Sequence, residues 1–136
     1  ALDESGFLKK MGDYFVGVTG GSIKKSVYVI LGVSAAASAV VDNIPFVATM
    51  IPTLKAMEEA LGGREAMMPV WWALSLGACL GGNGTLIGAS ANVIVAGIAA
   101  REGHPISFLR FLIWSVPVML LSVAMAGVFL YLEYFI

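Results

Sequence analysis

The sequence predicts an all-α membrane protein, and three observations carry that prediction. Of 136 residues, 59% are hydrophobic and 12% are charged, against about 25% charged in an ordinary soluble domain. The charges cluster, leaving residues 26–41, 66–100 and 111–132 without any. Two polar, helix-breaking stretches then interrupt the apolar chain, Asp42-Asn43-Ile44-Pro45 and Gly81-Gly82-Asn83-Gly84-Thr85.

Residues 1–25 read as an amphipathic or interfacial helix and a turn. Phe7, Leu8, Met11, Phe15 and Val18 recur at helical spacing, with Asp3, Lys9, Lys10 and Asp13 mostly elsewhere. This helix lies at the membrane interface or ends a span that starts upstream. The chain is expected to be a piece of a longer protein. Thr19-Gly20-Gly21-Ser22 is a turn, and Lys24 and Lys25 mark a membrane boundary where cationic side chains snorkel.

Residues 26–61 read as a re-entrant hairpin with its tip at 42–45. Sixteen residues (26–41) rise about 24 Å, short of a hydrocarbon core of about 30 Å. Pro45 lacks an N–H and suits the first turn of a second short helix over 46–60. Lys55, Glu58, Glu59 and Arg64 mark its wet end. Two steeply tilted or partly interfacial helices are the alternative.

Residues 69–100 read as one transmembrane helix broken at 81–90. The uncharged run over 66–100 is too long for one span of about 20 residues and too short for two with a loop. Gly81, Gly82, Gly84 and Gly88 fall within eight positions, and each glycine costs a helix up to about 1 kcal/mol relative to Ala. Gly77 is read as a helix-packing glycine. Pro69 opens the helix, and Trp71 and Trp72 suit the interfacial belt. After a loop at 101–105, residues 106–135 form a C-terminal transmembrane helix that includes Pro117. His104 reads as a solvated loop residue. The single Cys79 cannot form an internal disulfide.

Non-helical backbone inside a membrane is tolerated only when buried in protein or lining a cavity. Broken helices expose N–H groups that suit anions and C=O groups that suit cations. Secondary transporters use such discontinuous helices as binding sites. The side chains at the breaks are mostly oxygen donors, suited to Na⁺ or to hydrogen-bonding an oxyanion. Ser38, Asp42 and Asn43 lie at the first break; Asn83, Gly84, Thr85, Ser90 and Asn92 lie at the second. Asp42 is the one charge within the membrane part, and is a cation ligand or a proton carrier. It could also cap the helix that follows. Na⁺ is expected near Asp42, Asn43, Asn83 and Thr85. The glycines do not form a P-loop or a GxGxxG fingerprint. No His/Cys/Glu metal spacing and no Ser/His/Asp constellation suggests an enzyme. A net charge of −1 offers nothing to nucleic acid.

Two segments, 41–52 (VDNIPFVATMIP) and 77–92 (GACLGGNGTLIGASAN), resemble the C-terminal half of the P protein and arsenical pump membrane protein group, a citrate transporter-like group of the ion transporter superfamily. The resemblance implies a fold of two inverted repeats, each with a re-entrant hairpin and a broken helix. It implies a multi-pass protein of the cell membrane, the inner membrane in a prokaryote. Its partners would be the bilayer, the absent N-terminal half and, as a homodimer, a second copy. The implied activity is secondary transport of an anion or a metalloid oxyanion, coupled to Na⁺ or H⁺, with no cofactor beyond the coupling ion. Symporters of the superfamily carry Ser-Asn-Thr at both breaks. Here Asp42-Asn43 stands at the first and Asn83-Gly84-Thr85 at the second. A Na⁺/H⁺ antiporter-like or channel-like subunit with no oxyanion substrate is the alternative.

Overall fold

The computed structural model describes residues 6–136, and the helix predicted from residue 3 has its first residues outside that range. Among the described residues the regular structure is entirely helical. The helices are α1 (Phe7–Thr19), α2 (Ile23–Ser38), α3 (Asn43–Glu58), α4 (Met68–Gly81), α5 (Ser90–Arg101) and α6 (Phe108–Phe135).

α1 buries Gly12 and Thr19 and rests Met11, Phe15 and Val16 on the core, while Val18 is exposed. The buried stripe therefore runs 11/12/15/16/19, and Val18, one step of about 100° from Thr19, falls off it. Thr19 earns its burial by hydrogen bonds: its hydroxyl donates to the Phe15 carbonyl at 2.8 Å and accepts from Ser26 Oγ at 3.0 Å. α1 lies against α3, where Gly12 meets Ala56 and Thr53.

α2 and α4 form the tightest seam. A Cβ on Gly77 would stand 2.6 Å from the Leu31 carbonyl oxygen, and one on Gly81 would run into the Ala35 backbone. Small residues thus let two backbones approach, the device of helix packing in membranes. Gly77 meets Leu31 and Gly81 meets Ala35, so the two helices run in the same direction. α3 runs opposite to both, since Trp71 Nε1 near the start of α4 donates to Glu58 Oε1 at the end of α3, 2.9 Å away. α6 is also opposed to α2: Tyr28 lies by Gly127, while Ala39 and Met119 both approach Gly84. Lys24 at the start of α2 sits 4.3 Å over the Tyr131 ring near the end of α6.

The core lies between α2, α3 and α4 and is sealed by the end of α6. Val27, Ile30, Leu54, Met57, Met67, Val70 and Leu130 are fully buried there. α2 turns back through residues 39–42 into α3, but its long contact is with α4 rather than with α3. α6 is the one described helix both long and apolar enough to cross a membrane. Pro117 lies inside it and the helix continues past. α5 buries none of its residues and leaves Val93, Ile94, Val95 and Ile98 exposed.

Candidate functional site

The two polar stretches meet. α2 ends at Ser38, and α3 begins at Asn43 with Asp42 in the cap position. Pro45 sits in the first turn, where its missing N–H costs nothing. Asp42 does not cap α3 with its side chain; its Oδ2 accepts from Ser90 Oγ at 2.6 Å, across to the second break. There α4 ends at Gly81, a 3-10 turn covers Gly82–Gly84, and the chain is extended at Thr85 and Ala89 before α5 starts at Ser90.

Side chains satisfy the backbone that the break exposes. Thr85 Oγ1 donates to the Ala39 carbonyl and accepts from the Gly88 N–H at 3.0 Å. Asn92 Nδ2 donates to the carbonyls of Gly82 at 3.1 Å and Thr85 at 2.9 Å. Ser115 of α6 donates to the Gly84 carbonyl at 2.8 Å. Ser38 is fully buried and donates to the Ala78 carbonyl at 2.6 Å, tying α2 to α4. In a low dielectric each of these groups would otherwise be costly.

The glycines serve close approach rather than an unusual backbone. The described glycines at positive φ are Gly6, Gly20, Gly21, Gly62, Gly63 and Gly103, none of them in the break. A Cβ on Gly88 would stand 2.7 Å from the Gly82 carbonyl oxygen and 2.9 Å from that of Ser38. A Cβ on Gly84 would stand 2.9 Å from Met119 Cε. Gly81, which the sequence assigned to the break, belongs with Gly77 to the α2–α4 seam.

The predicted residues divide into two sets. Asp42, Gly84, Thr85, Ser90 and Asn92 belong to one hydrogen-bonded junction, with Ser38 buried behind it. Asn43 and Asn83 stand on separate clefts. Asn43 lines an apolar groove between α3 and α4 with Trp71 and Cys79. Asn83 lines an open cleft of about 860 Å³ at the start of α6, together with His104, Arg110, Trp114 and Ser115. The residues at which Na⁺ is expected are thus divided, with Asp42 and Thr85 in the junction, Asn43 on the groove and Asn83 on the cleft. Ser115, Arg110 and His104 were not among the predicted site residues. Ser115, a polar residue inside an apolar span, was the one signal in the sequence for a contact there.

Among the described residues the structure is all-helical, with a 28-residue apolar helix and, between α4 and α5, a non-helical interruption held by side-chain hydrogen bonds, an arrangement consistent with a membrane protein. Comparison with known proteins gives the family. The citrate transporter family model matches residues 2–135, and the chain belongs to that family, within the ion transporter superfamily. An uncharacterized transporter of Mycobacterium tuberculosis is 45% identical over 136 residues, all of this chain and 32% of that protein. A 46 kDa membrane protein of Mycobacterium leprae is 43% identical over 119 residues, covering 88% of this chain and 28% of that protein. The P protein of Mus musculus is 52% identical over 97 residues, covering 71% of this chain and 12% of that protein. The chain thus spans about a third or less of the curated relatives it matches. No solved structure matches it.

Proposed function

We propose that this chain forms half of the solute site of a multi-pass secondary transporter, moving an anion or a metalloid oxyanion across the membrane coupled to Na⁺ or H⁺. The observation that carries the reading is the meeting of the two breaks, through Thr85 on the Ala39 carbonyl and Ser90 on Asp42. Two interruptions so far apart in sequence have a reason to meet in a membrane if they build a site. In this reading α2 and α3 are the arms of a re-entrant hairpin, α4 and α5 the halves of a broken transmembrane helix, and the rest of the protein supplies an inverted counterpart.

Asp42 is the coupling residue of the proposal. It is the only ionisable side chain at the junction, and one of its oxygens is not engaged by Ser90. It can therefore take a cation or a proton without dismantling the bonds that hold the break. Asn83 is the solute-facing amide. The test is coupled uptake by the full-length protein in proteoliposomes. Asp42→Ala is expected to abolish dependence on the ion gradient, and Asn83→Ala to lower solute uptake at equal expression. Normal coupled uptake in both variants would overturn the assignment.

A further inference from the structure

We propose that the cleft at the start of α6 is an anion-selective entrance, with Arg110 as the residue that selects charge and Asn83 and Ser115 at its inner end. The inference rests on the transporter reading for its role and on geometry for its chemistry. The cleft is lined by His104, Arg110, Phe111 and Trp114 as well as Asn83 and Ser115, and among the described residues no carboxylate lines it. Glu102 lies in the neighbouring turn but not on the cleft.

Depth along α6 orders these groups. Ser115 holds the Gly84 carbonyl at 2.8 Å, so its level is that of the break. Arg110 stands five residues earlier, about 7.5 Å nearer the start of the helix. The loop at 103–106 carries His104 to the mouth. A solute entering here meets an imidazole that can donate a hydrogen bond, then a guanidinium, then the Asn83 amide beside the break. A guanidinium can hold a carboxylate or oxyanion with two parallel N–H···O bonds, and Trp114 lines the same cleft one turn on. A cationic side chain at a membrane boundary would ordinarily be read as an anchor alone. Its place on the cleft that contains Asn83 is what distinguishes Arg110 from Lys24, which is engaged by the Tyr131 ring.

The test uses full-length protein whose native cysteines, Cys79 among them, are replaced, with Ile106→Cys in the cleft lining. Rates of modification by an anionic and a cationic thiosulfonate of similar size are compared at low ionic strength. One unit charge at about 8 Å in water-like surroundings changes a monovalent reagent's local concentration roughly 2.4-fold, hence the anion-to-cation rate ratio about sixfold. The ratio is expected to favour the anion, to fall about sixfold in Arg110→Gln and to be kept in Arg110→Lys. Citrate uptake gives the second readout. For a trianion the same potential predicts a KM rise on the order of tenfold in Arg110→Gln with the maximal rate retained. An unchanged rate ratio, a cysteine at 106 that neither reagent reaches, or an unchanged KM would each overturn the entrance. Wild-type protein that keeps the rate ratio but takes up no citrate would count against citrate as the transported anion and still support the anion preference of the cleft.

Discussion

Thr85→Val is the sharpest probe of the junction, because it keeps the shape of the side chain and deletes its hydroxyl. That hydroxyl makes two bonds, donating to the Ala39 carbonyl and accepting from the Gly88 N–H at 3.0 Å. A typical bond contributes about 1 kcal/mol net, whereas a partner left unpaired in a buried place costs about 1–3 kcal/mol. Both partners would be orphaned, but unequally. The Gly88 N–H keeps a long contact of 3.4 Å to the Thr85 carbonyl, so its loss falls at the low end. The sum is about 2–3 kcal/mol, which corresponds to roughly a 30- to 150-fold shift toward the open junction. Amide hydrogen exchange by mass spectrometry, on the peptide covering 82–92 of the full-length protein, reads local opening directly. Thr85→Val should exchange faster by that factor, and Thr85→Ser, which retains the hydroxyl, by less than about fivefold. Wild-type protection in Thr85→Val would refute the role of the bond. Equal damage in Thr85→Ser would assign the effect to the missing methyl.

Two further perturbations test the joints around it. Gly81→Ala should drive a methyl into the Ala35 backbone, and overpacking of this kind costs about 1–3 kcal/mol, seen as a lower thermal midpoint of the full-length protein in detergent. Gly32→Ala, in α2 with nothing within 4 Å of the added methyl, should be neutral or slightly stabilising in the same assay. Asp42→Ala and Ser90→Ala should each raise exchange at the start of α5 about fivefold, for a coupling of ~1 kcal/mol, and the double variant should add little to either. Additive effects would show that the 2.6 Å contact carries no energy.

Helix content and the positions of the interruptions were legible because they rest on local physics. A 35-residue uncharged run is too long for one regular span and carries four glycines within eight positions, and Asp42-Asn43-Ile44-Pro45 stops one helix where a proline can start the next. The seam between α2 and α4 was not legible. Gly77 and Gly81 have the spacing of packing residues, but their partners, Leu31 and Ala35, lie 46 positions away in each case. The pattern shows that something approaches closely and is silent about what. The same limit governs the site. Asp42 and Ser90 are each polar residues near a break, yet nothing local says that they bond to each other. His104 looked like a loop residue for the same reason, since only the return of α6 past Gly84 brings it and Arg110 beside Asn83. Val18 was misplaced by a finer error, because a stripe that includes Thr19 is visible only once its hydroxyl is known to be satisfied.

The division of labour among the polar residues constrains how the junction can work. Thr85, Asn92, Ser115 and Ser38 spend their side chains on carbonyls of the interrupted backbone. They are oxygen- and nitrogen-bearing residues beside a break, which is why the sequence reading placed Ser38, Thr85 and Asn92 among the solute- and ion-binding residues. Their bonds instead make a non-helical segment tolerable where water is scarce. What is left over is smaller: the Asn83 amide on its cleft, Asn43 on its groove, and the outer oxygen of Asp42. None of these groups bonds the interrupted backbone, so each can change partners without costing the break its integrity. α5 fits the same logic. Among the described residues it buries none of its own, and the polar contacts at its first turn are made by Ser90 and Asn92. A change at Asp42 therefore acts on the first turn of α5 through Ser90.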